Sequence, residues 1–237
     1  MKTGAKRFDT KRLVALALFT AIVVVLQYLG QFIRFGMFSI SLVLVPIVVG
    51  AALYGKKAGA WLGFVFALAV FLTGDAAAFL TVNPFGTIVV VVLKGVLAGF
   101  FAGLVYRKLE KVNMTLAVFA AAVVCPIVNT GIFLIGCRLF FWETVQGWAE
   151  GMGFGDNAVG YMFLGLAGGN FLFELLVNVI LGPVIVRLIQ IGRKQGIGDK
   201  KTADRKQAVV CPGCGASVVP DAEGKCTYCG TALNGKR

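Results

Sequence analysis

Histidine is absent from this chain. That removes the side chain most often used as a general base near neutral pH. Ser-His and Cys-His nucleophile pairs and His-Glu-x-x-His metal sites go with it. Charge is scarce too: only 14% of the 237 residues are Asp, Glu, Lys or Arg. A water-facing surface is normally about a quarter to a third charged, so much of this chain's surface is not built for water. Acidic residues number 11 against 23 basic ones, for a net charge of +12. A nucleotide-binding loop is also missing. Gly50-Ala-Ala-Leu-Tyr-Gly55-Lys56-Lys57 imitates its spacing but lacks the Ser or Thr that holds magnesium, and it sits at the end of an apolar run. Any uphill movement of a solute would draw its energy from a partner or an ion gradient.

What remains is apolar. Hydrophobic residues make up 58% of the chain and the mean hydropathy is +0.86. Six apolar stretches, at 13–29, 39–54, 58–73, 87–106, 114–137 and 158–191, are separated by short polar or basic loops. About 20 apolar residues cross a bilayer as a helix, which satisfies its own backbone hydrogen bonds. The expected fold is an all-α polytopic membrane protein with six transmembrane helices. The short second and third spans are expected to pair around Gly55-Lys56-Lys57. Pro126 should bend the fifth span, and the over-long sixth should bend near Gly182-Pro183. The division is a tail at 1–12, a membrane domain at 13–192, a basic linker at 193–208 and a cysteine-bearing module at 209–233.

Charge placement orients the spans. With the N-terminus in the cytoplasm and six crossings, every Lys and Arg except Arg34, Lys94 and Arg138 falls on the cytoplasmic side. Arg34 and Arg138 lie outside with Asp75, Glu143, Glu150 and Asp156, and Lys94 lies within the fourth span. This is a positive-inside pattern with both termini cytoplasmic. The basic net charge is therefore topology rather than a nucleic-acid surface, and the loop cations meet anionic headgroups. The first span has no clear small-residue cleavage site and is expected to stay as a helix.

The tail carries the most specific motif. The chain carries Cys211-Pro-Gly-Cys214-Gly and Cys226-Thr-Tyr-Cys229-Gly, with eleven residues between the two cysteine pairs. Two such knuckles bring four thiolates within tetrahedral reach of one zinc ion, as in a zinc ribbon. Four thiolates leave no open position for water, so the zinc is expected to be structural, a staple for a segment too short to bury a core. A cytoplasmic location disfavours disulfides. Cys125 and Cys137 are expected to be small buried residues.

Ionisable and amide side chains within spans are costly, so each is a candidate for function. Lys94 lies in the fourth span and Glu174 in the sixth. Asn170, Glu174 and Asn178 recur every four residues and form one stripe. Asn129 adds polarity to the fifth span. Arg34 is the one cation in an aromatic outer loop. These six are the expected ligand-binding set, with Lys94 or Arg34 suited to a carboxylate or phosphate. The same residues also suit a purely structural role, a Lys94–Glu174 pair with asparagines bonding helix to helix. Gly95, Gly99 and Gly103 on the fourth span and Gly59 and Gly63 on the third allow close helix approach, and Ala17 and Ala21 form a small-residue face on the first.

Several runs together resemble one family. They are Ala17-x-x-x-Ala21, Val45-Pro46-Ile47-Val48-Val49-Gly50 through Gly55-Lys56-Lys57-Ala58-Gly59-Ala60, and Asn83-Pro84-Phe85-Gly86 leading to Leu93-Lys94-Gly95. Ala102-Gly103-Leu104-Val105-Tyr106 and Asn170-x-x-x-Glu174-x-x-x-Asn178 complete them. Over about residues 10–192 the chain resembles the substrate-binding S component of energy-coupling factor (ECF) transporters. The resemblance implies a non-enzymatic subunit that captures a water-soluble vitamin, such as pantothenate, riboflavin or folate, from outside. It implies partners, a transmembrane T component and two ATPases, with Ala17 and Ala21 at the T-component contact. The zinc ribbon departs from the family pattern. The alternative is a structural or regulatory membrane protein whose ribbon recruits cytoplasmic partners.

Reporter fusions test the topology: one at Arg237 and one inserted within 143–156 should report opposite sides of the membrane. Signals from the same side would contradict six crossings.

Overall fold

The computed structural model describes residues 10–32, 34–35, 38–39, 42–194, 209–218, 225–226 and 228–233. It divides into two compact units, Met1–Asp199 and Lys200–Arg237. The boundary falls inside the expected linker, most of which lies outside the described residues.

The first unit is helical. Its elements are α1 (Thr10–Gly30), a two-residue hairpin of β1 (Arg34–Phe35) and β2 (Phe38–Ser39), α2 (Leu44–Tyr54), α3 (Lys56–Thr73), α4 (Ala77–Leu80), α5 (Pro84–Leu109), α6 (Met114–Phe140) and α7 (Trp142–Gly151). Then come α8 (Ala158–Gly160), a π-helical stretch (Tyr161–Gly168), α9 (Gly169–Ile180) and α10 (Gly182–Lys194). Among the described residues, five helical stretches are long and apolar enough to cross a membrane: Arg12–Gly30, Lys56–Thr73, Pro84–Leu109, Met114–Phe140 and Ala158–Ile180.

Two expected spans differ from the helices observed. The span expected at 39–54 is an 11-residue helix, Leu44–Tyr54. At about 1.5 Å per residue the helix alone covers only part of a core of about 30 Å, and the chain between Gly30 and Tyr54 still runs from the Gln27–Asp75 end of the bundle to the Arg12–Tyr54 end. All its residues except Val45 are buried, so its apolar character serves packing against protein. The span expected at 158–191 ends at Ile180, and α10 restarts at Gly182-Pro183, the predicted bend. Pro126 lies inside α6, which is assigned as helix on both sides of it.

Local chemistry explains the boundaries. Asn83 starts α5 by accepting from Gly86 N at 3.0 Å, with Pro84 at the first helical position. Asn113 starts α6 by accepting from Thr115 N and Leu116 N at 2.8 and 3.2 Å. Gly55 is the whole connection between α2 and α3. Its φ of 86° is one that L side chains rarely adopt, and the Arg107 guanidinium fills the space where a Cβ would go.

Glycines bring α3 and α5 into backbone contact. A Cβ on Gly63 would lie 1.9 Å from the Gly95 carbonyl oxygen, and one on Gly95 would lie 2.3 Å from that of Gly63. Gly59 and Gly99 make the same reciprocal contact, at 2.2 and 2.0 Å. No other residue fits here without parting the helices. Around this seam one core gathers Leu44, Ile47, Leu62, Phe66, Ala98, Ala102, Val118, Cys125 and Ile185. A second gathers Phe79, Val90, Cys137, Phe141, Val145, Tyr161 and Leu166.

The two ends of the bundle differ in charge. At one, Arg12 Nη2 donates to the Tyr54 carbonyl at 3.0 Å, and Arg193 bonds both Glu110 and the Tyr106 hydroxyl. Lys56 lies over the Phe100 ring there. At the other, Gln27 donates to Asp75, and Phe79 packs edge-on against Phe133, Phe141 and Trp148.

Gly63→Ala or Gly99→Ala should lower thermal stability in detergent by about 1–3 kcal/mol through overpacking. Gly131→Ala, where nothing lies within 4 Å of the new Cβ, should not. Equal melting temperatures for all three variants would contradict the glycine seam.

Candidate ligand cavity and metal site

A cavity lies where the two cores meet. Counted out to its mouth, the non-atom space is about 760 Å³. α3 contributes Phe66 and Val70. The following loop and α4 contribute Asp75 and Phe79. α5 supplies Thr87, Val90, Val91 and Lys94, and α6 supplies Asn129, Thr130, Phe133 and Cys137. Phe141, Leu166, Ala167, Asn170, Phe171 and Glu174 close it. The wall is largely aromatic and aliphatic, with few polar groups.

Each polar group has a local cause. Lys94 precedes Gly95, so the α3–α5 seam sets its position. Its Nζ lies 5.7 Å from the Phe66 ring centroid and 5.6 Å from that of Phe133, a cation held between two π faces. Glu174 and Asp75 are the carboxylates whose fields act on it, Glu174 more strongly. Asn129 is buried, and its Oδ1 has no hydrogen-bond partner among the described residues. The Asn170 Oδ1 is in the same state. Buried carbonyl oxygens left unsatisfied cost about 1–3 kcal/mol each, which a ligand donor would recover. Asn170 and Glu174 follow the π-helical stretch, whose widened turn shifts the face that a helix presents.

Of the six expected ligand residues, the cavity brings together Lys94, Asn129, Asn170 and Glu174. Asn178 is not in its lining. It is fully buried one turn further on, and its Nδ2 donates to the Glu174 carbonyl oxygen at 2.8 Å. Arg34 is placed in β1, but its side chain lies outside the described residues. Cys125 and Cys137 are both buried in the cores as expected, and Cys137 also lines the cavity. Asp75, Phe79, Phe133 and Phe141 were not in the expected set. The available signal was the segment between Gly74 and Asn83-Pro84, where a carboxylate and an apolar run sit between turn formers. Ala17 and Ala21 lie on the exposed face of α1 beside Val14, Leu18 and Val25.

The second unit repeats one motif twice. β3 (Val209–Val210) pairs with β4 (Ser217–Val218), and Lys225 bridges Ala232. Cys211 N donates to the Ala216 carbonyl and Gly215 N to the Cys211 carbonyl. Cys226 N to Thr231 and Gly230 N to Cys226 repeat the pattern. Gly215 and Gly230 close the knuckles at φ 70° and 71°. The four sulfurs lie within 4.8 Å of one another, with Cys211–Cys229 at 3.4 Å and Cys214–Cys226 at 3.7 Å. Zinc–sulfur bonds of about 2.3 Å at tetrahedral angles require sulfurs about 3.8 Å apart, so these four cysteines can hold a metal ion. The Thr231 hydroxyl, 3.1 Å from Cys229 Sγ, leads the hydrogen bonds that push this thiol down to about 6, favouring the thiolate that a metal needs.

A helical membrane protein with a largely apolar internal cavity and a few convergent polar groups is the architecture of a solute-binding transport subunit. Residues 11–186 match the family model of the ECF transporter substrate-specific component, and the chain belongs to that family. It is 27% identical to the pantothenic acid transporter PanT of Lactococcus lactis subsp. cremoris (strain MG1363), over 76% of this chain and 94% of that protein. Its fold is similar to the solved structure of ThiT from Listeria monocytogenes, with a TM-score of 0.55, 23% identity, and coverage of 77% of this chain and 94% of that one. The family is one of transporter components, and the chain is a multi-pass membrane protein.

Metal analysis of the purified full-length chain should give about one zinc per molecule. Cys214→Ser with Cys226→Ser should abolish it without changing the melting temperature of the membrane unit. Zinc retained in the double variant would place the metal elsewhere.

Proposed function

We propose that the chain captures pantothenate, or a closely related carboxylated micronutrient, from outside the cell. It then passes the ligand inward in complex with a T component and two ATPases. The observation that supports this most is Lys94, a cation set between two aromatic faces in a cavity that also holds the unsatisfied Asn129 and Asn170 carbonyls. A ligand carboxylate would meet the Lys94 ammonium in a charge-assisted hydrogen bond. Hydroxyl and amide N–H donors would meet Asn129, Asn170 and Glu174. The aromatic wall would cover the branched hydrocarbon between them. The relationship to PanT supports pantothenate as the first ligand to test.

The same reading places both termini in the cytoplasm, because Arg12, Lys56, Arg107 and Arg193 gather at one end of the bundle. The cavity residues Asp75 and Phe79 then belong to the outer end. The exposed Ala17 and Ala21 would receive the T component, since small side chains let helices approach. The four-cysteine module would hold structural zinc. Its proposed role is a cytoplasmic staple, separate from ligand capture.

Titration of pantothenate into the purified chain tests the site. Lys94→Met and Glu174→Gln should each weaken binding more than about tenfold, or roughly 1.4 kcal/mol, with little loss of folded protein. If the two residues form only a structural pair, each single change should destabilise the protein, and the double change should restore stability and affinity together. Normal affinity in the double variant would end the assignment. Replacing Ala17 and Ala21 by Leu should leave pantothenate binding intact while cellular uptake falls. Undiminished uptake would remove the proposed docking face.

A further inference from the structure

Thr87 stands apart from the other cavity residues because its hydroxyl can act in one sense only. It is 1% exposed and lines the cavity near the start of α5. Its Oγ1 donates to the Asn83 carbonyl at 2.8 Å, and its own amide donates to the same carbonyl at 3.0 Å. A hydroxyl carries one hydrogen and two lone pairs. With the hydrogen held by Asn83, the oxygen meets the cavity as an acceptor. The turn that makes this bond is itself held. The Asn83 side chain caps α5 through Gly86 N at 3.0 Å. Gly86 presses on the end of α6, where a Cβ would lie 2.9 Å from Phe140 Cβ, so the turn has little room to roll.

Helical threonines often bond back to the preceding turn, so the bond alone marks nothing. Thr81 makes one to the Ala78 carbonyl at 2.9 Å, exposed and outside the cavity lining. Thr87 differs in its place. Val90 and Val91, one turn on, line the same wall, and valine has the shape of threonine without the oxygen. Lys94 follows Thr87 by seven residues. That is about 10.5 Å along the helix axis and only about 20° away in rotation. One side of the cavity therefore presents a fixed acceptor, two valines and the Lys94 nitrogen in order. A ligand whose carboxylate meets Lys94 brings its far end to Thr87. In pantothenate roughly nine bonds separate a carboxylate oxygen from the primary hydroxyl oxygen. An extended chain covers about 3.5 Å per three bonds, so that distance is about 10 Å. The paired methyl groups beside the hydroxyl would then face Val90 and Val91, and the hydroxyl hydrogen would face Thr87 Oγ1.

We propose that Thr87 is a specificity-determining residue of the ligand site. Its oxygen accepts a hydrogen bond from a hydroxyl at the end of the ligand remote from the carboxylate. The cavity so selects hydroxy acids of that length over analogues that end in a methyl group. The proposal rests on the reading of the cavity as the ligand site with Lys94 at the carboxylate. It adds to that reading the residue that recognises the other end of the ligand and the spacing between the two groups.

The experiment titrates the full-length chain, Thr87→Val and Thr87→Ser with three ligands. They are pantothenate, the analogue with a methyl group in place of the primary hydroxymethyl, and the analogue lacking only the secondary hydroxyl. In the unchanged protein the primary-deoxy analogue should bind about tenfold or more weakly than pantothenate. Thr87→Val should bind pantothenate about tenfold more weakly and the primary-deoxy analogue as well as the unchanged protein does, which removes the preference. The secondary-deoxy analogue keeps the primary hydroxyl and should fall by the same factor as pantothenate. Thr87→Ser, which restores the oxygen, should recover most of the preference. Equal weakening of all three ligands in Thr87→Val, whatever its melting temperature, would overturn the proposal. So would no weakening of any, or no preference in the unchanged protein. If the unchanged protein binds no pantothenate, the substrate reading fails separately. The comparison is then made on the small molecules that mass spectrometry finds retained per folded molecule of each purified protein. A compound held by the unchanged protein and Thr87→Ser but depleted in Thr87→Val supports the role of the oxygen. Any other pattern, including none retained, overturns it.

Discussion

Backbone contact between α3 and α5 is the constraint on which the rest depends. At Gly59–Gly99 and Gly63–Gly95 each helix occupies the volume where the other would carry a side chain. In a bilayer there is no hydrophobic drive to push two apolar helices together, because lipid is as apolar as leucine. Association rests on close packing, and glycine gives the closest. This contact fixes Phe66 on one helix and Lys94 on the other, so that the ammonium reaches the ring. α2 then fills the buried space beside the pair, a short helix nearly fully enclosed by protein.

A second constraint is the cost of polar atoms in an apolar interior. Among the described residues, much of that cost falls in one place. Lys94, Glu174, Asn129, Asn170 and Asp75 all line the same cavity. Spread over the helix seams, they would read as bonds between helices. Gathered around a space with aromatic walls, they give the cavity a mixed polarity, with one amine, two carboxyl groups and carbonyl oxygens able to accept. Family membership shows that this chain is a substrate-specific component, and the pattern of charges narrows what such a component would hold. The tail obeys different physics. Its small core includes Cys211, Val218 and Cys226, and metal binding at the four sulfurs would replace the apolar burial it lacks.

The sequence was most readable where residues stand out from their surroundings. Lys94, Asn129, Asn170 and Glu174 break apolar runs, and the desolvation cost makes each conspicuous. The Cys-x-x-Cys pairs carry their geometry in their spacing, and the turn at Gly55 and the break at Gly182-Pro183 followed from backbone chemistry. Other features were hidden for physical reasons. Asn178 shares the four-residue spacing, but a helical stripe drifts by about 40° per step, and its third member turns away from the cavity to bond the preceding turn. Phe79, Phe133 and Phe141 are apolar residues in apolar surroundings, so nothing local marks them as ligand walls. The 39–54 run looked long enough to span because residues 39–43 are also apolar or small. Only packing shows the helix beginning at Leu44. Gln27 was invisible because its partner, Asp75, is 48 residues away.

A structure determined with pantothenate present measures the central claim most directly. The account predicts ligand density in the cavity, with the carboxylate within hydrogen-bond distance of Lys94 Nζ and donor groups facing Asn129 and Asn170. An empty cavity at saturating pantothenate, or a ligand bound elsewhere with Lys94 still between Phe66 and Phe133, would contradict it.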